Sequence, residues 1–257
     1  LYDVPFEQNR TRAAVIGLGS MGMGAARSCI AAGLPTYGVD ISEAACAALR
    51  DAGAADAGPD GRAFASRLDA VLVLVVNAAQ VEAVLFGKTG LAPALRPGTA
   101  VMVSATIAPQ DARRFDAMLT ERGLVMLDAP VSGGAAKAAI GAMTVMAAGS
   151  AEAFAALRPV LSAVAEKVYE IGPEIGQGAT VKVVHQLLAG VHIAAGAEAM
   201  ALAARAGIPL DLMYDVVTHA AGNSWMFEDR MKAVVSGDYT PTSAVDIFVK
   251  DMGIVTE

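Results

Sequence analysis

The chain of 257 residues is apolar and mildly acidic, and both properties limit what it can be. A hydrophobic content of 55% provides for one large domain or two smaller ones. A net charge of −7 without a basic stripe argues against nucleic acid as a partner, because nothing would neutralise the phosphates. Two cysteines outside any metal-ligand spacing favour a reducing compartment, and no motif predicts a bound metal.

Two segments bear on cellular location. The N-terminal residues LYDVPFEQNR lack the apolar core of a signal peptide. The most apolar long stretch, residues 187–204, contains His192 and Glu198 and follows Lys182 closely. Charged and polar groups at these positions favour a buried helix over a membrane span. We therefore expect a cytoplasmic protein that does not enter a membrane.

Short β-rich runs alternate with helical segments from residue 12 to about residue 172. This alternation predicts an α/β fold with a Rossmann-type, doubly wound and mostly parallel sheet. The unbroken run VLVLVV fits a central strand that is covered on both faces. The candidate strands are 13–17, 36–39, 71–76, 101–104, 125–127, 144–147 and 168–171, and the clearest helices are 44–52, 110–122 and 151–164.

The character of the chain changes after Gly172-Pro173. A proline-free run from residue 180 to about 206 predicts a long helix, which Gly207 and Pro209 would end. Further helices are predicted at 210–218, at 225–235 and from 244 onward. We therefore predict a nucleotide-binding domain over 10–173 and an all-helical domain over 174–257. The final residues KDMGIVTE resemble the middle of a helix, so we expect the helical domain to be incomplete at this C-terminus.

The first motif in chain order is the hexapeptide GLGSMG, a G-x-G-x-x-G pattern between a predicted strand and a predicted helix. Gly17 would allow the tight turn, Gly19 would let a pyrophosphate approach the backbone, and Gly22 would let helix and strand pack closely. Ser20 and Met21 would lie in the first turn of the helix, and their backbone amides would face the phosphate charge. The context predicts a dinucleotide site rather than a structural glycine turn.

Asp40 closes the next predicted strand, near the spacing expected for a ribose ligand. A carboxylate there can accept hydrogen bonds from both ribose hydroxyls of NAD, and it repels the 2′-phosphate of NADP. Residues 41–43, Ile-Ser-Glu, offer no basic group for that phosphate. An ordinary helix cap is compatible with the same residue. We expect NAD, with NADP the less favoured cofactor.

A nicotinamide cofactor needs a partner that moves the hydroxyl proton, and Lys182 is the strongest candidate. It lies in a mostly apolar run, and the pKa of a lysine falls when its ammonium is desolvated, as a neutral-pH general base requires. His185 and Gln186 follow three and four residues later, on the same face of the predicted helix. A lysine that extends to solvent from a helix end is the alternative interpretation.

Other polar groups follow predicted strands. The run DAPVSGG presents Ser132, Gly133 and Gly134, which could bind a carboxylate through a hydroxyl and backbone amides, although a plain turn fits equally well. Asn77 and Thr106 follow apolar strands at the edge where doubly wound sheets bind ligands. Residues 223–225 and 250–251 are polar groups of the helical half, and isolated groups of this kind are usually surface.

The motifs together resemble the β-hydroxyacid dehydrogenase family, the proteins similar to 3-hydroxyisobutyrate dehydrogenase. The resemblance extends over nearly the whole chain, and its marks are VIGLGSMGMGAARS, SATIAP, DAPVSGGAAKAAIGAMTVMAAG, GQGATVKVVHQLLAG and DIFVKDMG. It implies a catalytic acid–base at Lys182 and a homodimer or homotetramer formed through the helical domain. It further implies substrate-carboxylate binding by residues 132–134, nicotinamide contacts from Thr106 and Lys250, and a cofactor contact from Asn77.

The sequence departs from the family where many members carry asparagine, four residues after the lysine. Gln186 occupies that position and follows His185, and HQLLAGVHIAA, AGNSWMFEDR and YTPTSAVDIFVKD look most like the L-threonate dehydrogenases. The resemblance implies NAD-dependent oxidation of a small hydroxy acid, L-threonate to 2-dehydro-L-erythronate. The alternatives are a 3-hydroxyisobutyrate dehydrogenase or a tartronate semialdehyde reductase, and a non-catalytic dinucleotide-binding module. Imine reductases share the architecture but generally lack the lysine.

Overall fold

The computed structural model describes residues 11–240 and 245–256. The chain divides into two compact units, and the division falls between Lys182 and Val183. This point lies inside a long helix, later than the change of composition at Gly172-Pro173. The domain limits 10–173 and 174–257 stay a prediction.

A nine-stranded sheet forms the centre of the first unit. The strands are β1 Ala13–Ile16, β2 Thr36–Val39, β3 Asp56–Gly58, β4 Ala70–Val73, β5 Ala100–Val103, β6 Val125–Asp128, β7 Val131–Ser132, β8 Met143–Gly149 and β9 Ala165–Gly172. Their order is β3-β2-β1-β4-β5-β6-β8-β7, with β9 beside β8. The first six strands run parallel, and β8 is antiparallel to β6 and β7. The predicted mostly parallel, doubly wound sheet is confirmed.

Helices connect these strands. They are α1 Ser20–Ala31, α2 Glu43–Asp51, α3 Arg62–Ala65, α4 Ala78–Phe86, α5 Pro109–Thr120, α6 Gly134–Ala139 and α7 Ala151–Val164, with a short 3-10 helix at Ala92–Ala94. Side-chain caps begin several of them: the Ser42 hydroxyl accepts from the Ala45 amide at 3.3 Å, and the Ser150 hydroxyl from the Ala153 amide at 3.1 Å. Pro109 opens α5 at the first helical position, where its missing N–H costs nothing.

The core lies on both faces of the sheet. Ala13 and Val15 pack with α1 and α7, whereas Ala14 and Ile16 pack with α4 and α5. Successive residues of a strand point to opposite faces, so a strand covered on both sides must be apolar at every position. This requirement explains the unbroken apolar runs from which the parallel sheet was predicted.

The sequence misplaced the end of β4 and the start of β9 by three residues each, and it missed two strands. The run VLVLVV predicted a strand through Val76, but β4 ends at Val73 and Val76 is 48% exposed. The chain leaves the sheet there because Leu74 lies against the glycine loop, with its carbonyl oxygen 2.6 Å from where a Cβ of Gly17 would be. The strands β3 and β7 are short, and the sequences DAG and VS carry no alternating pattern.

The second unit is helical. The helix α8, Gln177–Arg205, contributes its residues from Val183 onward, followed by α9 Leu210–Thr218, α10 Trp225–Ser236 and α11 Asp246–Thr256. The buried side chains of Met200, Phe227 and Met231 form its small core. Gly207 follows α8 with a φ of +74°, as predicted for a helix end. The predicted start of the last helix at residue 244 lies outside the described residues.

The long helix α8 is less buried than the sequence predicted. It has the length and composition of a membrane span, with a mean hydropathy of 1.6 in its most apolar window, yet only 22% of that window is buried. Met200 and Ala203 are buried, whereas Leu188 and Leu202 are exposed, because apolar residues surround the whole circumference. The interpretation of this segment as a buried core helix is therefore wrong for the described chain. One such helix is weak evidence for a membrane span.

Candidate active site

The glycine loop after β1 has the shape that a dinucleotide phosphate needs. A Cβ on Gly22 would lie 1.7 Å from the carbonyl oxygen of Gly17, so loop and helix are in direct backbone contact. Gly17 itself has a φ of +87°, which disfavours other residues. A Cβ on Gly19, by contrast, would meet nothing within 4 Å. The loop is thus closed where helix and sheet meet and open where a pyrophosphate would approach.

The start of α1 presents backbone amides to this open face. Gly19 occupies the N-cap position, and among the described residues no side chain caps the helix. The first turn, which includes Ser20 and Met21, contains no acidic residue. Unsatisfied amides and the helix dipole together favour an anion at this end. These features fit the phosphates of a dinucleotide.

Asp40 links the glycine loop to the loop that follows β2. One carboxylate oxygen accepts a hydrogen bond from the Leu18 amide at 2.6 Å, and the other accepts from the Ser42 amide at 2.8 Å. The cap of α2 is Ser42, so the alternative interpretation of Asp40 as a helix cap is wrong. Each ionised carboxylate oxygen has about two lone pairs, so both oxygens can also accept from ribose hydroxyls.

The glycines of DAPVSGG stand in conformations that few other residues adopt. Ser132 ends β7, and Gly133 and Gly134 follow with φ values of +120° and +65°. Consecutive glycines in such conformations can turn successive amides toward one anion. This local geometry fits the predicted carboxylate site, which stays a prediction.

Gly24, for which no role was predicted, lets α1 pack closely against α6, the helix that begins at Gly134. A Cβ on Gly24 would lie 2.7 Å from the backbone of Ala138 in α6, and the Ser28 hydroxyl donates to the Ala138 carbonyl at 3.2 Å. The helix that faces the phosphates therefore packs backbone to backbone on the helix that follows Gly134. The available signal was a further glycine two residues after the fingerprint, inside a helix where glycine is costly.

Asn77 and Thr106 follow the neighbouring parallel strands β4 and β5. The Asn77 side-chain oxygen accepts from the Gln80 amide at 2.9 Å and caps α4. Ser104, at the end of β5, is 4% exposed, and its hydroxyl has no hydrogen-bond partner among the described residues. Both strands end at the sheet edge that carries the glycine loop. The cofactor contacts of Asn77 and Thr106 stay predictions.

The start of α8 is held by a buried carboxylate at the end of β6. Asp128 is 1% exposed, and one of its oxygens accepts from the amides of Gly176 and Ala179, each at 2.9 Å. Burial raises the pKa of Asp128 to about 6, and the backbone hydrogen bonds and nearby Arg113 oppose that rise. No role was predicted for Asp128. The available indication in the sequence was an acidic residue that directly continues an apolar strand.

Lys182 lies in the turns of α8 that follow this anchor. It is 5% exposed, although the helix is largely exposed further along. A lysine that extends into solvent would show the opposite, so the alternative interpretation of Lys182 as a solvent-directed side chain is wrong. Burial of an ammonium is costly and is tolerated chiefly where it is paired or has a function.

A chain of polar contacts follows in the second unit. The Gln186 amide nitrogen donates to one oxygen of Asp251 at 2.5 Å, and the Lys250 ammonium lies 2.6 Å from the other. His185 Nδ1 lies 2.9 Å from the Gln186 side-chain oxygen. Asp251 is 2% exposed, so its assignment to the surface was wrong. The helices α8 and α11 approach closely at this level, because a Cβ on Gly190 would lie 2.9 Å from the Met252 sulfur.

Among the described residues, no group of three or more His, Cys, Asp or Glu side chains could hold a metal ion. Both cysteines are buried and unbridged, and burial raises the pKa of Cys29 to about 12.

Two family models divide the chain between them. Residues 12–172 match the NAD binding domain of 6-phosphogluconate dehydrogenase, and residues 176–257 match the NAD-binding domain of NADP-dependent 3-hydroxyisobutyrate dehydrogenase. The chain belongs to the β-hydroxyacid dehydrogenase family. It is thus a member of a family of NAD(P)-dependent hydroxyacid oxidoreductases, and its first unit is an NAD-binding Rossmann domain.

Relatives of this family are similar over nearly the whole chain. An L-threonate dehydrogenase of Pectobacterium atrosepticum is 71% identical over 95% of this chain and 80% of its own length. That of Escherichia coli K12 is 68% identical over the same shares. A crystal structure of a 3-hydroxyisobutyrate dehydrogenase from Salmonella typhimurium, 65% identical, superposes with a TM-score of 0.91 over 96% of this chain and 86% of its own. An imine reductase of Myxococcus stipitatus, 19% identical, shares the fold alone.

Proposed function

We propose that this protein oxidises L-threonate at its C2 hydroxyl to 2-dehydro-L-erythronate, with NAD as the hydride acceptor. The observation that carries the proposal is a buried lysine, Lys182, with the hydrogen-bonded pair His185 and Gln186 one helical turn later. The lysine supplies the acid–base group of a hydroxyacid dehydrogenase. The polar pair suits a substrate with several hydroxyls, because each hydroxyl needs a partner once it is desolvated. The L-threonate dehydrogenases at 68–71% identity support the same substrate.

Each residue has a defined part in this proposal. Neutral Lys182 accepts the hydroxyl proton through Nζ as the carbinol C–H bond breaks. A bound NAD would supply the hydride acceptor for that carbon. Ser132, Gly133 and Gly134 hold the substrate carboxylate through a hydroxyl and backbone amides, and His185 and Gln186 bind the remaining hydroxyls.

The cofactor side of the proposal uses the first unit. The residues Gly17, Gly19, Ser20, Met21 and Gly22 of the loop would hold the pyrophosphate, and Asp40 would bind the adenosine ribose. Thr106 and Lys250 would flank the nicotinamide end, and Asn77 would lie along the cofactor. The fit of the glycine loop and the position of Asp40 beside it support this part of the proposal.

The names of the relatives leave a second candidate substrate. The Salmonella typhimurium structure bears the name 3-hydroxyisobutyrate dehydrogenase. A 3-hydroxyisobutyrate site would face a methyl group, which a half-buried imidazole and a buried amide would serve poorly. Tartronate semialdehyde reduction stands behind it as an alternative. A non-catalytic binding module is disfavoured, because such a module has no use for a buried lysine.

Turnover with NAD and a panel of three- to five-carbon hydroxy acids tests the substrate. We expect the highest kcat/KM with L-threonate, and a higher value for 3-hydroxyisobutyrate or glycerate would contradict the proposal. Lys182→Met should lower kcat by roughly 10²–10⁴-fold, the usual contribution of a general acid–base group. Lys88→Met, at an exposed position away from the site, is the matched control and should keep full activity.

We further propose a soluble, cytoplasmic homodimer or homotetramer. The second unit exposes several large apolar side chains, among them Leu188, Val191, Leu202 and Leu212. Exposed large apolar side chains of this kind favour association between subunits. Light scattering on the purified protein measures the mass of the assembly, and a monomer at micromolar concentration would contradict this part of the proposal.

A further inference from the structure

The helices α1 and α6 meet backbone to backbone at Gly24. A Cβ on Gly24 would lie 2.7 Å from the carbonyl carbon of Ala138 and 2.7 Å from the amide nitrogen of Ala139, both in α6. Because these are backbone atoms, no change of side-chain rotamer could make room for a methyl group. Glycine weakens a helix interior relative to alanine, so the contact with α6 is the reason for glycine at this position.

A hydrogen bond holds the same contact one turn further along α1. The hydroxyl of Ser28, which is 8% exposed, donates to the carbonyl oxygen of Ala138 at 3.2 Å. Residues four apart on a helix share one face, so Gly24 and Ser28 both face α6. The glycine thus sets the distance between the two helices, and the serine fixes α6 at that distance.

Of the two helices, α6 is the one that would move if a side chain were added. In α1, Ala25, Ala26 and Cys29 have no exposed surface and lie in the core cluster on one face of the sheet. By contrast, α6 has six residues, all of them described, and only Ala138 is buried. A methyl group at position 24 would therefore displace α6 and leave α1 in place.

A displacement of α6 reaches the loop that precedes it. Gly134 is the first residue of α6 and lies four residues before Ala138, about 6 Å along the helix axis. Gly133 is tied to the same turn, because a Cβ there would lie 2.6 Å from the Cβ of Lys137. Ser132, however, belongs to β7, which pairs with β8 in the sheet. Moving α6 would therefore shift the two glycines relative to Ser132.

We infer that Gly24 is a positioning residue for the substrate carboxylate and acts through α6. By admitting α6 at backbone contact, it holds the amides of Gly133 and Gly134 beside the Ser132 hydroxyl, where they can bind one carboxylate together. The inference deepens the proposed function and rests on it for the identity of the acid. In this arrangement Gly24 touches neither substrate nor cofactor, so its replacement should separate substrate affinity from cofactor affinity.

Gly24→Ala tests the inference through kinetics and cofactor titration. The KM for L-threonate should rise about tenfold with kcat nearly unchanged, because one charge-assisted hydrogen bond is lost in the ground state and the transition state alike. The Kd for NADH should be unchanged, because the first turn of α1 stays in place. Gly253→Ala, at an exposed helical glycine with open space around it, is the matched control and should change neither constant.

The position of the loop can be measured without turnover. Cell-free labelling of serine with ¹³C at the carbonyl carbon and of glycine with ¹⁵N isolates the amides that follow serine, which are those of Gly133 and Gly237. In Gly24→Ala the NMR signal of Gly133 should shift, whereas that of Gly237, in the second unit, should stay in place.

A second variant removes the hydrogen bond and adds no atom. Ser28→Ala should shift the Gly133 signal and raise the KM for L-threonate by a smaller factor, since α6 is loosened without being displaced. Ser162→Ala, at an exposed position of α7, is its matched control. If Gly24→Ala does not fold, the same measurements on Ser28→Ala decide the inference.

Three results would overturn the inference. They are an unchanged KM for L-threonate in Gly24→Ala, an unmoved Gly133 signal, and equal losses of L-threonate and NADH affinity, which would indicate a general disturbance of the first unit. If L-threonate is not a substrate of the native protein, the proposed function fails, while the Gly133 signal still decides whether Gly24 positions the loop.

Discussion

Asp128 offers the sharpest test of how the site is held. Its carboxylate lies at the end of β6, is 1% exposed, and accepts hydrogen bonds from two amides at the start of α8. Two substitutions separate its roles as acceptor and as charge. Asp128→Asn keeps a side-chain oxygen of the same reach and removes the charge, whereas Asp128→Ala removes both. Because α8 carries Lys182, the comparison also bears on catalysis.

The expected difference can be estimated from the contacts. In the Ala variant the amides of Gly176 and Ala179 lose their acceptor in a buried place, and each buried, unsatisfied donor costs about 1–3 kcal/mol. The Ala variant should therefore be less stable than the Asn variant by about 2–4 kcal/mol, after partial relaxation of the loop. The Asn variant should be at least as stable as the native protein at pH 8, because burial of the charge is unfavourable there.

Urea unfolding followed by circular dichroism measures this difference. Fluorescence is less suitable, since Trp225 is the single tryptophan and lies in the second unit. Hydrogen exchange at the amides of Gly176 and Ala179 gives the local reading, and exchange should be faster only in the Ala variant. If both variants unfold at the same urea concentration, or if the two amides stay equally protected, Asp128 does not anchor the helix.

Three further results are expected. Gly22→Ala should unfold or strongly destabilise the first unit, because its Cβ would lie 1.7 Å from the Gly17 carbonyl oxygen. Gly19→Ala, by contrast, should fold and lose NADH binding. Thermal melts measure the stability of each variant, and NADH titration measures its binding. Asp40→Asn should lower the preference for NAD over NADP by about tenfold or more, since a charge-assisted ribose contact is weakened and the repulsion of a 2′-phosphate is removed; kcat/KM with both cofactors measures it. The third result concerns pH. The folded-state pKa of Asp128 is about 6, above its ordinary value of 3.8. The ionised carboxyl therefore destabilises the fold above pH 6, and this destabilisation is lost as the pH falls through 6 toward 4. The stability of Asp128→Asn minus that of the native protein should therefore shrink by about 2 kcal/mol between pH 8 and pH 4, and a constant difference would contradict the pKa.

The sequence predicted most of the sheet because of how the sheet is covered. Strands with helices on both faces must be apolar throughout, and that pattern is visible without a structure. The starts of α7 and α9 agree with prediction because Ser150 caps the first helix and Pro209 precedes the second. The strands β3 and β7 were missed because they form through pairing with longer neighbours, which their own residues do not indicate.

For the candidate site residues too, the sequence predicted the roles that depend on nearby residues and missed those that depend on distant ones. The roles of Gly17, Gly19 and Gly22 depend on contacts within a few residues and on one neighbouring strand, so the motif alone predicts them. The roles of Asp128 and Asp251 depend on partners 51 and 65 residues away. No local pattern contains such pairs, and an acidic residue judged alone is most often at the surface.

Three carboxylates of the described chain accept hydrogen bonds from groups that they hold in place. Asp40 accepts from the glycine loop, Asp128 from the start of α8, and Asp251 from the amide of Gln186. An ionised carboxylate is among the costliest groups to bury, and the buried Asp128 and Asp251 each accept from backbone or side-chain donors. Because it can only accept, each one also dictates which atom of its partner must face it. The negative charge that makes a carboxylate costly to bury also makes it an acceptor only. Asp40 therefore orients the glycine loop, Asp128 orients the start of α8, and Asp251 orients the amide of Gln186.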